Sequence, residues 1–398
     1  MGSHVLGGRN APIPYGKWYP QTVSSADGPY VFGSDGRRYV DLWMGFGTLL
    51  LGHRDEILLR ELGDSLRTTG LMHSFHHALE EQVAETLCRH IASAESVRFM
   101  MTGQEATSYC LRLSRAHTGR ERVLLVEGGY HGVNDATSYR APAGIPAGSL
   151  ALTDRIPFND TAALEDALST TKYAAFIVEP VLGNAGVRRS NPAYLRAARQ
   201  LCNDSGTVLV FDEVMTGFRN SMACAQGDFG VVPDLTALAK ALGGGVPIAA
   251  VCGRNTIMRE FYPHGRVAQE GTFYGSPLSL AAARISLGRY ESESVPERIG
   301  QLVERVLEPL RELSVTNERV SVSSYGGMFG IEFLSADAQD RTSYTAFSDH
   351  LARAGFLVPP LQTEAAFLSV SHAPIVEQIS FELLAAAKYA LGLNGGNN

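Results

Sequence analysis

Three runs of strand length carry no polar side chain: Val123-Leu-Leu-Val126, Ala174-Ala-Phe-Ile-Val178 and Val208-Leu-Val-Phe211. A strand with one face in water alternates apolar and polar residues, so an unbroken run demands cover on both faces. Helices give that cover in a β-α-β unit. Between the second and third runs, residues 191–204 place Tyr194, Leu195, Ala198 and Leu201 at helical spacing. The pattern predicts an α/β chain with a mostly parallel central sheet flanked by helices. Each run is followed by a carboxylate, Glu127, Glu179 or Asp212, and open parallel sheets bind ligands beyond the carboxyl ends of their strands.

The flanks read differently. Residues 28–42 predict a hairpin turning at Asp35-Gly36. After residue 290 come a long helix over 295–313, strand-like stretches near Val320 and Phe329, and a closing helix over 375–391. With 398 residues the chain has room for two or more domains. The expected division is a large domain over 46–288 and a small α+β domain made of 1–45 and 289–398, with 394–398 an unstructured tail.

Composition narrows the function. Lys and Arg number 34 against 41 Asp and Glu, a formal charge of −7, which gives no cationic surface for nucleic acid. No apolar run approaches the ~20 residues that span a bilayer, and no leader pattern is visible. The five cysteines (Cys88, Cys110, Cys202, Cys224 and Cys252) are scattered, with no C-x-x-C among them. A cytoplasmic protein without membrane or nucleic-acid partners is expected. His73, His76 and His77 form the one histidine cluster, read as a loop rather than a metal site.

Four lysines occur, Lys17, Lys172, Lys240 and Lys388, beside thirty arginines. Lys240 lies in an apolar stretch followed by three glycines. Loss of hydration would make its amine neutral and nucleophilic, as a Schiff-base lysine requires. A surface lysine with its stem on apolar neighbours is the plain alternative. Asp212, ending a buried strand, needs a cationic partner. A protonated pyridine nitrogen would serve, and so would a structural ion pair. Glu213 should point the other way, to a solvent edge or a helix. Thr102-Gly-Gln-Glu105 reads as a capping box, yet the same helix start would present the amides of Gly103 and Gln104 to a phosphate. Tyr130-His131-Gly132 follows the first strand, where an aromatic ring could stack on a planar ligand. No Walker motif or nucleophile elbow competes.

In this order the motifs resemble the class III aminotransferases of the pyridoxal-phosphate fold type I superfamily, and within them the glutamate-1-semialdehyde 2,1-aminomutase branch. The resemblance covers nearly the whole chain. It rests on Phe211-Asp-Glu-Val-Met-Thr-Gly-Phe-Arg219, Pro233-Asp-Leu-Thr-Ala-Leu-Ala-Lys240, Glu179-Pro-Val-Leu-Gly-Asn184 and Gly271-Thr-Phe-Tyr-Gly-Ser-Pro277. It implies pyridoxal 5′-phosphate as cofactor, with Lys240 as the Schiff-base lysine and proton carrier. Asp212 would face the ring nitrogen, while Tyr130 and Val214 sandwich the ring beside His131. Asn184 would touch the ring's 3′ oxygen, and Gly103 and Gln104 the phosphate. Thr272 would reach in from a second subunit of a homodimer with shared active sites. Glu364 matches a position near the substrate in the aminomutase.

Departures from that branch concern the substrate. Its N-terminal stretch carries an arginine for the substrate carboxylate, where this chain reads Gly7-Gly-Arg-Asn-Ala-Pro-Ile-Pro14. Pro14 cannot make a bidentate carboxylate pair, which leaves Arg9 or Lys17 as candidates. Phe46 stands for a tryptophan on the pocket wall, and Gln104 for a threonine. Residues 141–149 lie where the aminomutase has a mobile gate. The expected activity is amino transfer from a small-molecule donor to a specialised aldehyde or keto acceptor by a ping-pong cycle. The alternative is a single-substrate aminomutase or epimerase.

Overall fold

The apolar runs demand cover on both faces, and they have it. In a computed structural model, which describes residues 18–72, 74–138, 142–335 and 341–393, they lie in one seven-stranded sheet. Its spatial order is Ser96–Met100, Ala249–Gly253, Leu235–Leu238, Val208–Asp212, Tyr173–Val178, Arg122–Val126 and Thr153–Ile156. Ala249–Gly253 runs antiparallel to both neighbours, and the remaining pairings are parallel. The α/β expectation, with a mostly parallel sheet, is met.

Alternate residues of one strand serve opposite cores. Val208 and Val210 pack with Ala106, Cys110 and Leu113 of the helix Gly103–Thr118. Leu209 and Phe211 pack with Tyr194, Leu195 and Ala198 of the helix Pro192–Ser205. Period two in the strand and two apolar helix faces leave no site for a polar residue before Asp212. The second helix has clear punctuation: the Asn191 side chain accepts from Ala193 N, Pro192 opens the helix, and Gly206 closes it at φ 64°.

The flanking elements also form. Tyr30–Gly33 and Arg38–Asp41 pair as the expected hairpin, and Phe356–Leu357 adds to Arg38–Asp41 in parallel. Near the other end of the chain, Val320–Tyr325, Met328–Phe333 and Ala366–Phe367 form an antiparallel sheet. The long helix is Val295–Thr316 and the closing helix Val376–Ala390. The tail 394–398 lies outside the described residues. Among those residues no helix is long and apolar enough to cross a membrane.

One feature runs against local preference. Met44, Gly45, Phe46 and Gly47 have φ of 48°, 60°, 60° and 78°, and their turn closes through Gly47 N to Trp43 O and Thr48 N to Met44 O, both 3.1 Å. This is a left-handed helical turn, which costs about 1–2 kcal/mol for each residue bearing a Cβ. Met44 and Phe46 must therefore be held there by surrounding structure.

Phe176, fully buried in the central strand Tyr173–Val178, provides a test of this packing. Phe176→Ala should destabilise the chain by about 3–5 kcal/mol, read as a lower urea midpoint with its secondary structure kept below the transition.

Candidate active site

Beyond the carboxyl ends of the central strands lies a cavity of about 690 Å³. Its lining includes Gly103, Gln104, Tyr130, His131, Asn184, Asp212, Val214, Lys240 and Phe46. Nine residues singled out along some 190 positions of sequence thus share one cavity. Two do not line it: Thr272 is exposed to solvent, and Glu364 is partly buried elsewhere. Arg9, Pro14 and Lys17 lie outside the described residues, as does His73.

Asp212 ends its strand at 3% exposure. Its Oδ2 is 2.7 Å from His131 Nδ1, and its Oδ1 accepts from Val214 N at 3.0 Å. The partner of Asp212 inside the chain is thus His131, which the sequence reading placed beside the ligand without pairing the two. Thr107 Oγ1 donates to His131 O at 2.7 Å and fixes that loop. His131 Nε2 is buried without a hydrogen-bond partner. Glu213 has no solvent edge. It is fully buried and accepts from the amides of Ala225 and Gln226 at the start of the helix Cys224–Phe229, and from Thr216 Oγ1. Of the two options for Glu213, the helix is the one realised.

The two readings of Thr102–Glu105 prove compatible. Thr102 Oγ1 accepts from Glu105 N, and Glu105 Oε2 accepts from Thr102 N. That box leaves the amides of Gly103 and Gln104 without an acceptor in the chain among the described residues. Gly103 has to be glycine, since a Cβ there would come within 2.8 Å of Val214. Gly132, at φ 90°, lies so close to Gln104 that a Cβ would approach it to 2.8 Å. The helix start is therefore pressed against both loops that bound the cavity, with free N–H groups aimed as an anion site requires.

Lys240 follows the strand Leu235–Leu238 in a left-handed conformation, φ 49°, which turns its side chain out of the strand direction. Its Nζ is 3.6 Å from Met215 Sδ. Burial lowers its pKa to about 8, against the opposing pull of Glu179 and Asp212 and with help from the Arg219 charge. Glu179 ends the neighbouring strand, as its place after the second apolar run implies. Its two oxygens accept from Tyr130 N at 2.9 Å and Gly183 N at 3.1 Å. Burial raises its pKa to about 7. The same signal that marked Asp212, a carboxylate ending an apolar run, marked Glu179 as well.

Phe46, Leu49, Val246, Pro247 and Ile248 give the cavity apolar lining, and among the described residues that line it none is an arginine. The histidines at 76 and 77 have local partners: His76 pairs with Glu80, and His77 Nδ1 caps the helix Ala78–His90.

The family model described as "Aminotransferase class-III" matches residues 15–373. A glutamate-1-semialdehyde 2,1-aminomutase of Methanothrix thermoacetophila is 34% identical over 385 residues, 92% of this chain and 89% of that protein. Among solved structures, an omega-transaminase from Sphaerobacter thermophilus matches with TM-score 0.91 at 26% identity, over 98% of this chain and 95% of that one. A transaminase with PLP bound matches with TM-score 0.88 at 26% identity, over 95% and 93% of the two chains.

Lys240 should capture an aromatic aldehyde at a rate that rises with pH to a plateau, with a midpoint near 8. The amine is nucleophilic only when neutral, so the rise runs in the alkaline direction. Stopped-flow absorbance on the cofactor-free protein measures it, and a midpoint near that of an ordinary lysine would contradict the buried setting.

Proposed function

The chain belongs to the class III aminotransferases and uses pyridoxal 5′-phosphate, and from that premise we propose that it moves an amino group from a small-molecule donor to a specialised aldehyde or keto acceptor. The cycle is ping-pong: the donor reacts and departs before the acceptor enters. The observation that carries this reading is the convergence of Lys240, the Asp212–His131 pair and the free amides of Gly103 and Gln104 on one cavity.

The residues present fit the cofactor. The orphaned His131 Nε2, the unsatisfied helix-start amides and the close approach of Gly103 and Gly132 to their neighbours are what a bound phosphorylated ring would use. Gly103 and Gln104 would hold the phosphate, Tyr130 and Val214 would flank the ring with His131 beside it, and Asn184 would meet its 3′ oxygen. When bound, the cofactor supplies an electron-withdrawing ring and a reactive aldehyde carbon. Asp212, fixed by His131 and Val214 N, would face the ring nitrogen and keep it protonated. Lys240 would hold the cofactor through Nζ and, as a free amine, would carry a proton at Nζ between the substrate carbon and the cofactor carbon. A pKa near 8 lets that amine serve as base and as acid near neutral pH.

The substrate end of the cavity favours a transaminase with an unusual acceptor. Phe46 stands among its apolar lining, no arginine lines it among the described residues, and Pro14 stands where the aminomutase branch has an arginine. A carboxylate, if the substrate carries one, would be met by Arg9 or Lys17. Glu364, with one carboxylate oxygen buried and unpartnered and a pKa raised by burial to about 7, would face substrate only after local rearrangement. The relatives named as aminomutases support a second reading, a single-substrate aminomutase or epimerase. A homodimer with shared sites agrees with the exposure of Thr272 and with 61% exposure of the neighbouring Phe273.

Absorbance of the loaded protein, followed as amino donors are added singly, tests the reading. Loss of the visible band with one donor, together with release of its keto product, is the expected result. Turnover of one substrate with no keto product would instead establish the isomerase. Lys240→Ala should lose the band and at least about 10³-fold in rate. Gly103→Ala, by pushing Val214 away from the helix start, should weaken cofactor binding about tenfold, measured by equilibrium titration.

A further inference from the structure

The left-handed turn Met44–Gly47 forms part of the cavity lining through Gly45 and Phe46. A conformation that Met44 and Phe46 resist has to be fixed from both ends. At its start, Asp41 Oδ1 accepts from Trp43 N at 2.8 Å and Met44 N at 3.0 Å, while Asp41 Oδ2 is 2.8 Å from His53 Nε2. At its end, Arg219 Nη2 donates to Gly47 O.

Arg219 is an unusual choice for that task. It is 1% exposed, and no carboxylate lies within ion-pair distance of it among the described residues. Its Nε donates to Met215 O at 3.1 Å, and its guanidinium lies 5.0 Å above the Phe367 ring. A buried cation without a counter-charge is costly, and an apolar side chain of similar volume would fill the space at less cost. What only a guanidinium offers is a rigid fork that joins two separate backbone carbonyls while stacking on an aromatic face. The carbonyls it joins are informative. Gly47 O belongs to the turn that carries Phe46. Met215 O belongs to the residue whose sulfur is 3.6 Å from Lys240 Nζ. Gly47 itself cannot carry a side chain, because a Cβ would lie 2.5 Å from the Phe367 ring and 2.9 Å from Arg219 Nη2.

We propose that Arg219 is a positioning residue for substrate selection: it locks the left-handed turn, and with it Phe46, in fixed register with the Met215–Lys240 contact. Phe46 then acts as the wall against which an acceptor's size is read, and Arg219 acts through it without touching substrate. This rests on the aminotransferase reading of the site.

The test uses the loaded enzyme with Phe46→Ala, Arg219→Met, the double variant, and Gly47→Ala. The measured quantity is the ratio of kcat/KM for a bulky and a small acceptor, with cofactor affinity measured separately. Arg219→Met and Gly47→Ala should each shift the ratio about tenfold, mainly through KM. The double variant should match Phe46→Ala alone, since both changes remove one device. Cofactor affinity should move less than about threefold. Hydrogen exchange at the Gly47 and Thr48 amides should quicken about tenfold in Arg219→Met, whatever the activity. Arg219→Lys keeps the buried charge but loses the fork that joins the two carbonyls, so it should shift the ratio in the same direction and decides the question if Arg219→Met does not fold. An unchanged ratio, or effects of Phe46→Ala and Arg219→Met that multiply, would overturn the proposal while leaving the aminotransferase reading intact. Wild-type protein that aminates no acceptor would instead remove that reading, and this inference with it.

Discussion

An ionised carboxylate can end a strand buried on both faces only if donors reach it there, and at Asp212 they come from His131 and Val214. That requirement organises the rest of the site. His131 can reach Asp212 because its loop leaves the end of the Arg122–Val126 strand and is tied to the helix Gly103–Thr118 through Thr107. Val214 can donate because the chain turns at once after Asp212, and the same turn brings Met215 against Lys240. Glu179 ends the strand between these two and holds Tyr130 through its amide. The sheet therefore delivers four chemical groups to one place by strand order alone.

The charges there are unequal in their settings. Asp212, Glu179, Arg219 and His131 are buried around Lys240, which is itself half-buried. Burial disfavours the charged forms of Glu179, Lys240 and Arg219. Arg219 cannot deprotonate near neutral pH, so its charge stays and works against the ammonium form of Lys240. Lys240 has a thioether as its neighbour, a weak acceptor that does little to hold a proton on the amine. Lys240 is thereby brought into a range where its amine can both gain and lose a proton near neutral pH.

Much of this was legible in the sequence, for identifiable reasons. Unbroken apolar runs have one structural solution, so the central strands and the helix Pro192–Ser205 could be placed from pattern and caps. Lys240 stood out because lysine is scarce and its setting apolar. Gly103 and Gln104 were readable because a capping box marks a helix start. The pairing of His131 with Asp212 was not, since the two are 81 positions apart and nothing local links them. The turn Met44–Gly47 was hidden for the opposite reason. Local preference points away from a left-handed run at Met44 and Phe46, and its cause lies in Asp41 and in Arg219, 172 positions distant from Gly47. Pattern reading recovers what the local chain favours and misses what distant residues impose on it.

That distinction separates two layers of the site. The groups proposed to handle protons and anions sit at strand ends and a helix start, where regular structure sets their place at little conformational cost. The wall that would meet the acceptor is a strained turn, held by a buried guanidinium and a buried carboxylate whose other tie is to His53. Strain of this kind persists only where several contacts overdetermine it, and each contact also limits how Phe46 can shift. A regular strand in its place would cost less, but it would alternate its side chains between two faces and could not aim Gly45 and Phe46 together into the cavity. The left-handed turn presents both, so the unfavourable backbone and the shape of the substrate-facing wall have a single origin.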